Sequence, residues 1–179
     1  MPQDLLAAPK VEAYSRAQVV ESGRKWGDPP RTRMFKGAHH LAVDEKGRLA
    51  IPARFRQSLA EQCDSQLVIT VGPNPCLEIY PLPEFERIVR DIQAMEDRTQ
   101  AETLKQWFVG FAADAEIDKQ GRVLLPPMLR RRAQLDGAAV LAGQDARFDL
   151  WSEREWEQRF GEAIDQKPTL QDAFRTIRR

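Results

Sequence analysis

One short phrase occurs twice in this chain, and that constrains the fold more than any other feature. Residues 43–56 read VDEKGRLAIPARFR, and residues 117–130 read IDKQGRVLLPPMLR. Alignment pairs Asp44 with Asp118, Gly47 with Gly121, Arg48 with Arg122, Pro52 with Pro126 and Arg56 with Arg130. The match continues through Leu67-Val68-Ile69-Thr70 against Ala139-Val140-Leu141-Ala142, and Leu77-Glu78-Ile79-Tyr80 against Phe148-Asp149-Leu150-Trp151. It ends with Pro83-Glu84-Phe85-Glu86 against Arg154-Glu155-Trp156-Glu157. Two copies are too few for a stacked solenoid, whose units are also usually shorter. The pattern is a small domain built twice.

Each copy reads as strand, turn, strand, short helix, strand, turn, strand, longer helix, so the chain is expected to be mainly β with short helices (α+β). Leu41-Ala42-Val43 runs into Asp44-Glu45-Lys46-Gly47, where Asp favours turn initiation and Gly accepts positive φ. Leu49-Ala50-Ile51 then resumes the apolar run, which predicts a hairpin. Pro52 and Pro126 cannot donate to a ladder and suit a helix start, so helices are expected over 53–60 and 127–134. Leu77 and Ile79 alternating with Glu78, and Phe148 and Leu150 with Asp149, predict half-buried strands. Phe85, Ile88, Val89 and Ile92 have helical spacing, and Ser152 with Glu155 forms a capping-box signature ahead of Trp156 and Phe160. These aromatics, with Trp107, Phe108 and Phe111, are expected to serve the core first and subunit contacts second. The expected divisions are an N-terminal extension (1–33), a first copy (34–93), a connecting helical segment (94–110), a second copy (111–162) and a tail (163–179). Within the connector, the acid- and Gln-rich stretch 94–102 is the expected link and 103–108 a short helical piece.

Lys plus Arg and Asp plus Glu number 27 each, so affinity for nucleic acid must come from local segregation of charge. That segregation falls on the repeated phrase. Residues 44–56 hold four basic and two acidic side chains (net +2), and residues 118–132 hold five and one (net +4). Arg48 and Arg122 follow the turn glycines. A basic hairpin at such a place can reach phosphates and set a guanidinium fork on guanine O6 and N7 in the major groove. The same D-x-x-G-R spacing also fits a purely structural turn in which the Asp accepts from the Arg. Asp44 and Asp118 are expected to be structural, while the sequence leaves Arg48 and Arg122 open between the two roles.

Other classes find little support. His39 and His40 are the only histidines and are expected at the surface or in packing, not on a metal. No G-x-S-x-G or Walker pattern occurs and the carboxylates are dispersed, so no enzyme is expected. Cys63 and Cys76 lack metal or redox spacing and are expected to be free, partly buried thiols. No apolar run approaches the roughly 18 residues of a spanning helix, and the first residues lack a secretory layout, which points to the cytoplasm.

Taken in order, FKGAHHLAVDEKGRLAIPARFR, LVIT, CLEIYPLPEFERI, EIDKQGRVLLPPMLR and VLAGQDARFDLWSEREWE resemble the MraZ family of bacterial transcriptional regulators, from about Met34 to Phe160. The resemblance implies two tandem AbrB-like swapped-hairpin β domains that form a pseudo-dimeric barrel within one chain. It also implies binding of double-stranded DNA through the D-x-x-x-R turns, assembly of a ring-shaped homo-oligomer, and no cofactor, metal or small-molecule substrate. The expected role is repression, in the nucleoid, of the division and cell-wall gene cluster through short promoter repeats, including those of its own promoter. By this analogy Arg48, Arg56, Arg122 and Arg130 are the DNA-contact candidates, with Lys46 and Lys119 added for their charge; Gly47 and Gly121 are structural. An antitoxin-like protein-binding module on the same fold is the alternative, with TLQDAFRTIRR at the C-terminus as its candidate segment. Against it, both halves carry a complete basic hairpin.

The residues before Met34 fit neither copy. Trp26-Gly27 must be encoded TGG-GGN, and Ser22-Gly23 admits a second TGG ten nucleotides upstream. The resemblance implies TGGG-type repeats about one helical turn apart ahead of the gene, so this leader is read as translated promoter, with a genuine, mildly basic arm as the alternative. Peptides from before Met34 in the native protein would contradict that. The tail from Lys167, with Arg175, Arg178 and Arg179, is expected to be a solvated terminus.

Overall fold

A computed structural model describes residues 34–161 and 168–177. The expected leader (1–33), residues 162–167 around the start of the tail, and Arg178 and Arg179 at its end lie outside them. The first copy comprises β1 (Phe35–Ala42), β2 (Arg48–Ala50), α1 (Ala53–Cys63), β3 (Gln66–Val71), β4 (Leu77–Pro81) and α2 (Leu82–Ala94). After α3 (Arg98–Leu104) and a π-helical turn (Lys105–Val109), the second copy repeats the series as β5 (Ala113–Glu116), β6 (Arg122–Leu124), α4 (Pro127–Arg132), β7 (Ala138–Asp145), β8 (Arg147–Ser152) and α5 (Glu153–Phe160). A last helix, α6, spans Pro168–Ile177.

The copies are interlocked. Six antiparallel strands run in the order β1-β7-β8-β4-β3-β5, and β2 pairs with β6 in a separate two-stranded ribbon. Exchanging the copies turns that order into its own reverse, so a pseudo-two-fold passes between β4 and β8 and through the Leu49–Val123 pair of the ribbon. β1 therefore lies along the second copy's β7, and β5 along the first copy's β3. This is the swapped-hairpin arrangement, and it corrects the simple hairpin expectation. The turn after β1 forms, but a single bridge, Val43 to Leu49, is all the pairing between its two arms. β2 finds its ladder in the other copy.

One apolar core joins the two halves. Leu49 and Val123 on the ribbon's inner face pack in one cluster with Ile51, Leu59, Ile69, Leu77, Ile79, Leu125, Leu129, Leu141, Phe148 and Leu150. Phe35, Phe55 and Phe148 add ring contacts at 4.3–5.8 Å. Such burial contributes about 1.5–3 kcal/mol per large apolar side chain, and since both copies supply the cluster, neither half completes it alone.

The central strands are buried on both faces, which corrects the half-buried expectation. Glu78 and Asp149 are only 4% and 3% exposed and face one another across the β4–β8 pair. Arg147 makes the arrangement tenable: Nε donates to Asp149 Oδ1 at 2.9 Å and Nη2 lies 3.4 Å from Glu78 Oε1. Tyr80 Oη donates to Glu78 Oε2 at 2.8 Å. A second apolar cluster, Val68, Tyr80 and Phe85 with Ile88, Val89, Phe108 and Val109, lies beside it under α2 and the π-helical turn.

The connector is more helical than expected. Only residues 95–97 separate α2 from α3, where Asp97 Oδ1 accepts from the N–H groups of Thr99 and Gln100. Helices do begin after Pro52 and Pro126, and Ser152 Oγ accepts from the Glu155 N–H at the start of α5. Phe108 packs inward as expected, but Trp107 is 49% exposed, stacked on Phe111 with Arg132 over both rings. Trp156 and Phe160 pack on Trp151 at the rim, not in the core. Within the tail, Pro168–Ile177 is helical, which the sequence did not foresee, with Leu170, Phe174 and Ile177 exposed. Both cysteines are free and buried.

Candidate nucleic-acid interface

Each turn is built by its aspartate. The Asp44 carbonyl accepts from the Gly47 N–H at 2.8 Å, and the Asp44 N–H donates to the Arg48 carbonyl at 2.9 Å. Asp118, Gly121 and Arg122 repeat both bonds at 2.8 Å. Gly47 and Gly121 sit at φ +81° and +78°, where a Cβ would be strained. Their carbonyls then reach across the pseudo-axis: Gly121 O accepts from Ile51 N–H and Gly47 O from Leu125 N–H, both at 2.9 Å.

The same aspartates hold the arginines. Asp44 Oδ1 accepts from the Arg48 N–H, and its Oδ2 accepts from Arg48 Nε at 2.7 Å with Nη2 at 2.6 Å. Asp118 grips Arg122 alike, with Nε at 3.0 Å and Nη2 at 2.8 Å. These bonds, first from the arginine side chain and then from its backbone, lower the carboxyl pKa values, that of Asp118 to about 2. Bonding of this kind ties each aspartate to both its turn and its arginine. It does not consume the arginines, whose side chains remain 29% and 27% exposed. The aspartate takes the Nε/Nη2 edge, leaving Nη1 and the second Nη2 hydrogen, the end-on fork that matches guanine O6 and N7. A guanidinium already held also loses less entropy on binding.

Register fixes what surrounds them. Arg48 stands opposite Leu124 and Arg122 opposite Ala50. With Leu49 and Val123 buried, the strand alternation places these four residues together on the ribbon's outer face. Arg48 and Arg122 are diagonal neighbours, whose backbone separation in such a pair is about 7–8 Å. Neither Ala50 nor Leu124 was singled out from the sequence, although the alternation in R-L-A and R-V-L carries that information.

The flanking arginines change partners. A Cβ on Gly121 would overlap the Arg56 guanidinium, and one on Gly47 would lie 2.6 Å from Arg130 Nη1. Arg56 therefore sits on the second copy's turn, anchored by Nε to the Ile51 carbonyl at 2.7 Å, and Arg130 on the first copy's turn. The six basic candidates fall into two mixed groups, Lys46, Arg48 and Arg130 at one end of the ribbon and Lys119, Arg122 and Arg56 at the other. Lys46 and Lys119 are exposed on the turns but are not equivalent, since Lys46 aligns with Gln120 and Lys119 with Glu45.

His39 and His40 lie away from these turns, His39 edge-on to Phe55 at 5.4 Å and His40 3.2 Å from Glu153. Among the described residues no group of His, Cys, Asp and Glu could hold a metal ion, and no helix is long and apolar enough to cross a membrane.

Comparison with known proteins agrees with this architecture. A family model described as "MraZ protein, putative antitoxin-like" matches twice, over residues 34–108 and 108–179. The protein named transcriptional regulator MraZ from Methylococcus capsulatus is 44% identical over 126 residues, 70% of this chain and 83% of the relative. Those of the same name from Thiobacillus denitrificans and Pseudomonas aeruginosa are each 43% identical, over 132 and 127 residues, covering 73% and 69% of this chain and 89% and 83% of the relatives.

Proposed function

The chain belongs to the MraZ family, and on that premise we propose that it is a sequence-specific DNA-binding repressor that reads promoter repeats through its two D-x-x-G-R turns. One observation carries the reading: two arginines, each gripped by its turn aspartate, share the outer face of the β2–β6 ribbon. A two-stranded ribbon fits the major groove, and about 7–8 Å between diagonal positions is roughly two base-pair steps at 3.4 Å each. Arg48 and Arg122 are the base readers. Lys46, Lys119, Arg56 and Arg130 serve the phosphates on either side and fix register without carrying sequence.

In this reading the protein acts at the nucleoid, in the cytoplasm, on the division and cell-wall gene cluster and its own promoter. Several chains in a ring present their ribbons together, so that modest contacts add through effective concentration. No catalysis and no cofactor enter the mechanism. A second reading, a protein-binding module of antitoxin type, draws on α6 with its exposed Leu170, Phe174 and Ile177.

The test is equilibrium binding, across salt, of the protein starting at Met34 to the DNA ahead of its own gene, with the TGG-bearing repeats intact or scrambled. Salt-dependent binding that weakens on scrambling supports a sequence-specific regulator. Equal affinity for both duplexes would remove sequence reading and favour the protein-binding module.

A further inference from the structure

The pseudo-two-fold exchanges Arg48 with Arg122, so the guanidinium pair is symmetric about the ribbon's centre. The other two residues of that face are not. Exchange places Ala50 on Leu124, a single methyl against a branched side chain that is 59% exposed. Leu124 lies directly opposite Arg48, within side-chain reach, whereas Arg122 has only the Ala50 methyl opposite it. The inner positions Leu49 and Val123 are fully buried, so the break in symmetry is displayed to whatever the arginines meet.

We propose that Leu124 is a specificity-determining residue that contacts the C5-methyl group of a thymine beside the guanine read by Arg48. This inference rests on the DNA-reading role proposed above and extends it. The major groove offers one protruding apolar group, the thymine methyl, and apolar side chains next to a bidentate arginine are suited to it. Charge commits the surface to this occupant, since Arg48 and Lys46 lie at Leu124's end of the ribbon, with Arg130 on the adjoining turn. At the other end Ala50 offers a single methyl, which reaches less far and makes a smaller contact. The ribbon therefore reads its two ends differently, and the preferred site has a direction and is not a palindrome.

The experiment uses the highest-affinity duplex that the protein selects from a randomised pool, with each thymine in turn replaced by deoxyuridine, which deletes the methyl and keeps every base-pairing and groove hydrogen bond. One thymine beside a guanine should prove sensitive, with affinity falling about four-fold, the value of one buried methyl-sized group. Leu124→Ala should bind thymine and deoxyuridine duplexes nearly equally, and Ala50→Leu should create a second sensitive thymine at the opposite end once a thymine is placed there. Both positions are exposed, and melting curves matching the parent confirm that the variants are folded. A palindromic selected site, indifference to every deoxyuridine, or undiminished methyl sensitivity in Leu124→Ala overturns this inference while leaving the arginine reading intact. Failure of the protein to select any sequence, or selection unchanged in Arg48→Ala/Arg122→Ala, overturns the arginine reading and this inference with it.

Discussion

Arg56, from the first copy, lies against Gly121, in the second copy's turn, so closely that a Cβ there would overlap its guanidinium. Gly47 and Arg130 mirror the relationship. Gly121→Ala should therefore suffer twice, from φ near +78° and from displacement of Arg56. The expected loss is about 1–3 kcal/mol of stability, seen in urea unfolding, with DNA affinity reduced at native temperature. Gly47→Ala should behave alike, and a Gly121→Ala protein of parental stability would contradict the packing.

Removing Arg147 should expose how much the sheet centre depends on it. Arg147→Met leaves Glu78 and Asp149 facing each other, nearly buried, without the guanidinium that contacts both. Breaking a buried pair costs about 3–5 kcal/mol, and since the Arg147 side chain is 33% exposed a smaller loss, near about 2–3 kcal/mol, is expected. Arg147→Met combined with Glu78→Gln and Asp149→Asn should recover much of that loss in the same assay.

The sequence disclosed the duplication, both turns, the helix starts after Pro52 and Pro126, and the cap at Ser152. It could not disclose strand partners. A period-two pattern says which face a residue takes, not which strand lies beside it, and two copies with the same pattern make self-pairing and cross-pairing equally good on paper. That is why Arg56 could not be assigned to the turn of Arg122, nor Ala50 and Leu124 to one face. Glu78 and Asp149 misled for another reason: an acidic residue in an alternating strand usually faces water. The signal present was Arg147, two residues before Asp149 and hence on the same face of β8.

The turn carboxylates supply a pH test. An unfolded Asp titrates near about 4, whereas the Arg122 side chain and backbone hold folded Asp118 at about 2. The folded value is the lower, so the contribution is complete above about pH 4 and is lost as pH falls through about 2. Asp118→Asn should melt below the parent at neutral pH, with the gap narrowing across that window. Carboxyl NMR should place the Asp118 midpoint low and show Asp44 depressed in the same direction.

The thiols should be inert while the protein is folded. Burial, followed by the Asp149 and Glu78 carboxylates, pushes Cys76 up to about 12, and burial raises Cys63 as well. Iodoacetamide at neutral pH should label neither until denaturant is added, because the thiolate is the reactive form. Rapid labelling of Cys76 in the native protein would contradict its burial.

The most direct test of the account is the affinity of Arg48→Ala/Arg122→Ala for the DNA ahead of the gene, measured beside the parent protein and a scrambled duplex. Two bidentate contacts at about 1–3 kcal/mol each predict a loss of roughly thirty-fold or more on the intact sequence, little loss on the scrambled one, and a folded variant by circular dichroism. A folded double variant that binds the intact sequence as tightly as the parent would make the two turns structural and end the proposal that they read DNA.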